Sequence, residues 1–290
     1  MTNFKKTLLG VAAAIALAAP AANAALVNVG GVQWDTDSTN PIDDFFADTS
    51  FDQWFQSNNT GINDQDRVTV NVNNPSALIG NYLYGSGQVN GINGVNNILG
   101  QPNPETNPAR FCPDCELTYA FGGIEVDNVQ IFNVPQLGSF VVFTFDTTNA
   151  WVKIFVDGTP DWPGTGGRPD AVNATDGNLF LDLTFASFSL TPFANVIGGS
   201  VSAQLNVVGG LAAAYFDTDP SVVRQTTMLP GADFTYSSSS QFALNANFSS
   251  GTGEIAGDSV RVPEPASLAL LGFGLFGLGG MQMRRKQKAA

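Results

Sequence analysis

Between residues 25 and 262, apolar residues return at every second position in one short run after another, and no stretch carries the spacing of a long amphipathic helix. Period two is the pattern of a strand with one buried face. The clearest runs are 201–207, 242–248 and 179–185, the last with Leu179, Leu181, Leu183 and Phe185 on one face. Residues 68–72, 117–121, 126–132, 140–145, 152–156 and 212–216 read the same way. Asp157-Gly158, Asp176-Gly177, Gly198-Gly199, Gly209-Gly210 and Gly251-Thr252-Gly253 supply residues that tolerate positive φ, and predict turns. The pattern predicts an all-β fold, an antiparallel β-sandwich or jelly roll, with phenylalanines filling the space between sheets. Parallel α/β folds are disfavoured because their crossover helices are missing. One short helix, broken near Ser50, is expected over residues 41–55, where Phe45, Phe46, Phe51, Trp54 and Phe55 cluster. Residues 85–108 and 158–170, rich in Gly and Pro, read as surface loops. Neither divides regions of different composition, so residues 25–262 are expected to form one domain.

The two ends of the chain obey different rules. Lys5 and Lys6 precede an apolar run over residues 8–19, and Ala22-Asn23-Ala24 supplies the small residues of a signal-peptidase site. Residues 1–24 therefore read as a secretory signal with Ala22 and Ala24 at its cleavage site. At the other end Pro263-Glu264-Pro265 is followed by an apolar stretch over residues 266–283 and then by Arg284, Arg285 and Lys286. As a helix, that stretch would reach about 27 Å, enough to cross a hydrocarbon core with little tilt. The terminal basic cluster would hold the C-terminus in the cytoplasm and leave the central region outside. The expected precursor is thus anchored in the inner membrane.

A Pro-Glu-Pro tripeptide, a Gly-rich apolar helix and an Arg-Arg cluster in immediate succession resemble the PEP-CTERM sorting tail, here residues 263–290. The resemblance implies a Gram-negative, exopolysaccharide-producing bacterium. It also implies an exosortase that recognises Pro263, Glu264 and Pro265, removes the tail, and passes the protein to the cell surface or extracellular matrix. Prolines at both ends of the tripeptide resist helix and keep it extended. Adhesion, flocculation and exopolysaccharide association are the functions such a context implies. The segment Cys112 to Tyr119 followed by Phe121-Gly122-Gly123 also resembles stretches of other PEP-CTERM proteins, without implying an activity.

Charge and composition narrow the chemistry. Residues 25–262 hold 24 acidic and 6 basic side chains, a net charge of −18. Nucleic acid is therefore not an expected partner, and a cation is. The chain has no histidine, which removes Ser-His and Cys-His nucleophile pairs and the commonest zinc ligand. No enzymatic activity is expected. The alternatives are an exported carbohydrate-active enzyme working with paired carboxylates, and a calcium-dependent sugar-binding module. No cofactor other than calcium fits the residues. Asp35 and Asp37, and Asp64 and Asp66, space hard oxygen donors at alternate positions, as does Asp217 with Asp219, although turn-forming aspartates explain them equally well. Cys112 and Cys115, the two cysteines, are expected to form a disulfide in an oxidising compartment, with a metal half-site and a redox pair as alternatives. Trp151 and Trp162 could stack on sugar rings or anchor loops.

Overall fold

The period-two runs become antiparallel strands that share their partners in a ring. A computed structural model describes residues 27–34, 36, 45–93, 95–96, 111–166, 169–218, 229 and 231–259, all within one compact unit that ends at Ser259. Among them are the strands β1 (Val27–Val29), β2 (Val32–Trp34), β3 (Phe45–Gln56), β4 (Tyr82–Ile92), β5 (Val95–Asn96) and β6 (Glu116–Val134). There follow β7 (Gly138–Asp146), β8 (Trp151–Asp157), β9 (Asn178–Pro192), β10 (Ile197–Gly209), helix α1 (Ala213–Phe216), β11 (Phe234–Phe242) and β12 (Ser249–Gly257).

The expected sandwich or jelly roll is instead a closed eight-stranded antiparallel barrel. Its order is β4-β3-β12-β11-β10-β9-β8-β6, and β6 pairs back to β4. Closure rests on the first half of β6, which uses both of its edges at once. Tyr119 lies opposite Ile154 of β8 and also opposite Gly87 of β4. A strand paired on both sides all the way round leaves the ring no open edge. Alternation identifies which face of a strand is buried but not which strands are neighbours, so ring and sandwich are indistinguishable at that level. The second half of β6 leaves the ring to pair with β7. β7 then bridges the turn that follows β9, Phe140 to Ala194.

Inside the barrel, large rings sit where facing strands carry glycine. A β-carbon on Gly251 would lie 2.4 Å from the Phe51 ring, and one on Gly85 would lie 2.3 Å from the Phe121 ring. Gly251-Thr252-Gly253 and Gly198-Gly199 therefore lie within β12 and β10 rather than in turns, because close approach is what these glycines provide. At the end where β3, β9 and β11 begin, the β1–β2 hairpin and α1 contribute to the core. Trp34, 2% exposed, stacks on Phe216 at 5.0 Å and meets Phe45 and Phe180 edge-on. Its indole N–H donates to Ser259 Oγ at 3.2 Å.

Other local expectations are corrected. Residues 41–55 form no helix where described: Phe45–Gln56 is β3, with Phe45, Phe51 and Phe55 facing the core and Trp54 the outer face. Residues 212–216 end in α1 rather than a strand, residues 243–248 join β11 to β12, and residues 68–72 hold only the bridge from Val68 to Phe55. Residues 85–92 belong to β4, so the first supposed loop begins later than expected. The second is a loop in its described part, and it covers the outside of the barrel. Asp52, fully buried on β3, accepts hydrogen bonds from the Gly166 N–H at 3.1 Å and from Ser250 Oγ. Ala171 packs with Trp54 and Tyr84 in a small second core against Trp151.

Candidate functional site

The outer face of β10, β11, β12, β3 and β4 holds a groove of about 510 Å³. Alternation dictates its chemistry. With Phe234 and Phe242 facing inward, Ser237 and Ser239 of β11 must face out, as must Thr252 and Glu254 of β12 and Asp48 of β3. Asp48 lies directly opposite Glu254 in the ladder. Like charges in that position oppose strand pairing, so this pair adds no stability to the sheet. On β4 the Asn90 side-chain amide donates to Ser50 Oγ at 3.0 Å. Hydroxyls, one amide and two carboxylates thus offer both donors and acceptors to a hydroxylated ligand.

A second polar cluster lies where β6 and β8 begin and end. Glu116 is paired across the ladder with Asp157, and the carboxylate oxygens of Glu116, Asp157 and Asp161 lie within 4.8 Å of one another. Among the described residues this is the group that could hold a metal ion. Glu116, 3% exposed, accepts the backbone N–H groups of Asp161 and Trp162, both at 3.1 Å. Burial pushes the Glu116 carboxyl above its usual range, those N–H groups pull it down, and Asp161 and Asp157 push it up again. The folded state therefore holds this proton more tightly than the unfolded state. Stability rises as pH falls from the folded to the unfolded pKa, and the gain is absent at neutral pH. Glu116→Gln keeps an acceptor for the two N–H groups and removes the charge. It should raise the melting temperature at pH 7, measured in chelator, by roughly 2–4 °C and abolish the gain on acidification. A lower melting temperature at pH 7 would contradict the repulsion.

The residues singled out in the sequence fall in different places. Cys112 and Cys115 form a disulfide just before β6, with both side chains buried. Asp64 and Asp66 lie in the loop after β3 and bond to their neighbours: Asp64 accepts from the Gln65 amide, and Asp66 from Ser57 and Asn58. They do not join the carboxylate cluster. Asp217 follows α1 and makes a backbone bond to Ala213. Trp162 is buried as a loop anchor, whereas half-buried Trp151 packs against Tyr84, with the Lys153 ammonium 5.7 Å from its ring centre. Asp35, Asp37, Asp219, Ala22, Ala24, Pro263, Glu264, Pro265, Arg284 and Arg285 lie outside the described residues. The transmembrane helix expected over residues 266–283 lies outside them too, and among the described residues no helix is long and apolar enough to cross a membrane. Sequence reasoning missed the groove and the Glu116 cluster. Glu116 is far along the chain from Asp157 and Asp161, and the serine run gave no sign of its partners.

The described fold is a closed β-barrel, and the sequence beyond it carries a candidate C-terminal processing signal. Residues 261–286 match the family model of the PEP-CTERM protein-sorting motif, which supports an exported protein processed by an exosortase. No curated protein and no solved structure matches the chain.

Proposed function

We propose that the barrel is a non-enzymatic binding domain that associates with exopolysaccharide at the cell surface or in the extracellular matrix, and so serves adhesion or flocculation. The groove on the outer face of β10–β4 carries this reading: an exported protein presents an open surface lined by hydroxyl, amide and carboxylate groups. A polysaccharide offers the matching hydroxyls, and its length suits an open groove better than an enclosed cavity. Purified polysaccharide from the producing cell, titrated against the mature protein, should bind saturably. Asn90→Ala and Thr252→Val, both on exposed side chains, should each weaken it about fivefold with the melting temperature unchanged. Absence of binding, or indifference to both substitutions, would overturn the reading.

An enzyme using paired carboxylates needs one acid shielded from water. Glu116 meets that condition, but it is held by two backbone N–H groups, and it lies outside the groove, on β6 rather than on any of the five strands that line it. Binding without turnover is therefore preferred, and release of reducing ends from the bound polysaccharide would reverse the preference. A calcium-dependent form of the same binding would be lost in chelator and restored by calcium.

A further inference from the structure

The ring leaves no strand edge open, but the hairpin that β6 and β7 form beyond it does. Val126 is bonded on the β4 side, through the backbone of Gly80 and Asn81. From Asn128 to Val134 the strand pairs with β7, and among the described residues no strand pairs with its other edge. Adjacent residues of a strand point to opposite faces. Ile131 and Phe132 are nevertheless 52% and 50% exposed, so this part of the hairpin is packed on neither face. Leu137 at its tip is exposed as well, and so is Phe193 in the neighbouring β9–β10 turn. Backbone bonds tie the two turns together. The Asn195 N–H donates to the Ser139 carbonyl at 2.6 Å, and the Ser139 N–H donates to Asn195 Oδ1 at 3.0 Å.

Charge is missing from the same place. Residues 128–145 and 183–216 hold no Asp, Glu, Lys or Arg, in a domain with 24 acidic and 6 basic side chains. Exposed edges of monomeric proteins ordinarily carry a charge or a proline that blocks further pairing, and residues 128–134 carry neither. A lipid surface matches this edge poorly, because hydrocarbon cannot bond its backbone N–H and C=O groups, whereas another strand can. A second copy of the chain brings such a strand. Two copies meeting on their acidic sides repel, but at this end they approach with no charge between them. Paired edge to edge about a two-fold axis, residues 128–134 run antiparallel and set their midpoint, Ile131, opposite Ile131 of the second copy.

We propose that the open edge of β6, residues 128–134, is a self-association surface through which two copies of the chain join their β6–β7 hairpins into one four-stranded sheet. None of these residues lines the outer groove, so the contact stands whether or not the groove binds polysaccharide. Sedimentation equilibrium of the mature protein should show a reversible monomer–dimer exchange with a dissociation constant on the order of 10 μM, as suits a small interface. Added salt should tighten the dimer by screening the two acidic bodies from each other. Ile131→Asp and Ile131→Lys, both at an exposed position, should each weaken it about tenfold or more and leave the melting temperature of the monomer unchanged. An equal mixture of the two variants should pair about fivefold more tightly than either alone, because like charges face each other in each variant and opposite charges in the mixture. Ile131→Thr, which keeps a β-branched side chain, should weaken the dimer about threefold, and it serves in place of the charged variants should they disturb the hairpin. A mature protein that stays monomeric at about 100 μM would overturn the proposal. A dimer that salt weakens, that is indifferent to all three substitutions, or that the mixture does not restore would overturn it as well. So would binding of the monomer to neutral phosphatidylcholine vesicles that Ile131→Asp abolishes, which would make this end a lipid contact.

Discussion

In cells that lack their exosortase, the protein should keep its tail and stay in the membrane fraction. In cells that have the enzyme, mass spectrometry should find a chain without residues 1–24 and without the segment beyond the processing site. On the proposal that Pro263-Glu264-Pro265, within the matched residues 261–286, is what the exosortase recognises, the effect should be all or none. The two prolines act through the backbone. A proline fixes its own φ and disfavours the helical region for the residue before it, so the sequence itself opposes a helix through Glu264. Pro263→Ala with Pro265→Ala removes that block, and Glu264→Ala removes the charge between them. Both variants should accumulate as unprocessed precursor in cells with active exosortase. Processing of all these variants at the normal rate would show that the tripeptide is not what the exosortase reads, and an intact tail in both strains would show that the tail works as a permanent anchor.

The second large effect is on stability. Trp34→Ala should cost about 3–5 kcal/mol, a large share of the roughly 5–15 kcal/mol a domain of this kind possesses. Trp34 belongs to a three-residue strand outside the ring, yet it is 2% exposed and meets the rings of Phe45, Phe180, Tyr215 and Phe216. Its loss leaves a cavity bordered by rings that cannot close in, since Phe45 and Phe180 are fixed on β3 and β9 of the barrel. It also removes the donor to Ser259 Oγ. The urea midpoint should fall accordingly, whereas Trp34→Phe should recover much of the difference. A loss near 1 kcal/mol for Trp34→Ala would mean that the β1–β2 hairpin is not integral to the core.

How far the fold could be read in advance depends on which interaction decides each segment. Alternation located β8 and large parts of β7, β9 and β10, because in those strands one face is more buried than the other; β6 was found through its apolar runs, although its first half is buried on both faces. It failed for β11 and β12. Ser237 to Ser240 and Gly251 to Gly253 have no apolar contrast, and their inward positions are filled from the facing strand by rings such as Phe51. It also misread residues 242–248, where Phe242, Leu244 and Phe248 recur at even spacing around a turn and Leu244 is exposed. Ring closure was out of reach, since it depends on β6 pairing with β4 and β8 together. The sorting motif lies at the opposite extreme: its signal is contiguous, so the motif matched over residues 261–286 was legible in the sequence. The disulfide was legible for a similar reason, with two cysteines three positions apart. The Glu116 cluster and the outer groove are assembled from distant segments and have no local signature.

The pairing of β3 with β12 sets an order of events during secretion. Phe45 has Gly257 as its ladder partner, so one of the first strands to leave the export channel waits for the last. Until β12 arrives, β3 and β11 each present an unpaired edge, and such edges invite pairing with other chains. Only residues 258–262 separate β12 from Pro263. Barrel closure therefore comes at the very end of translocation, as the processing site itself emerges. A tail still held in the membrane at that moment would keep each maturing chain apart from its neighbours until its exposed edges have found one another, so that detachment follows folding.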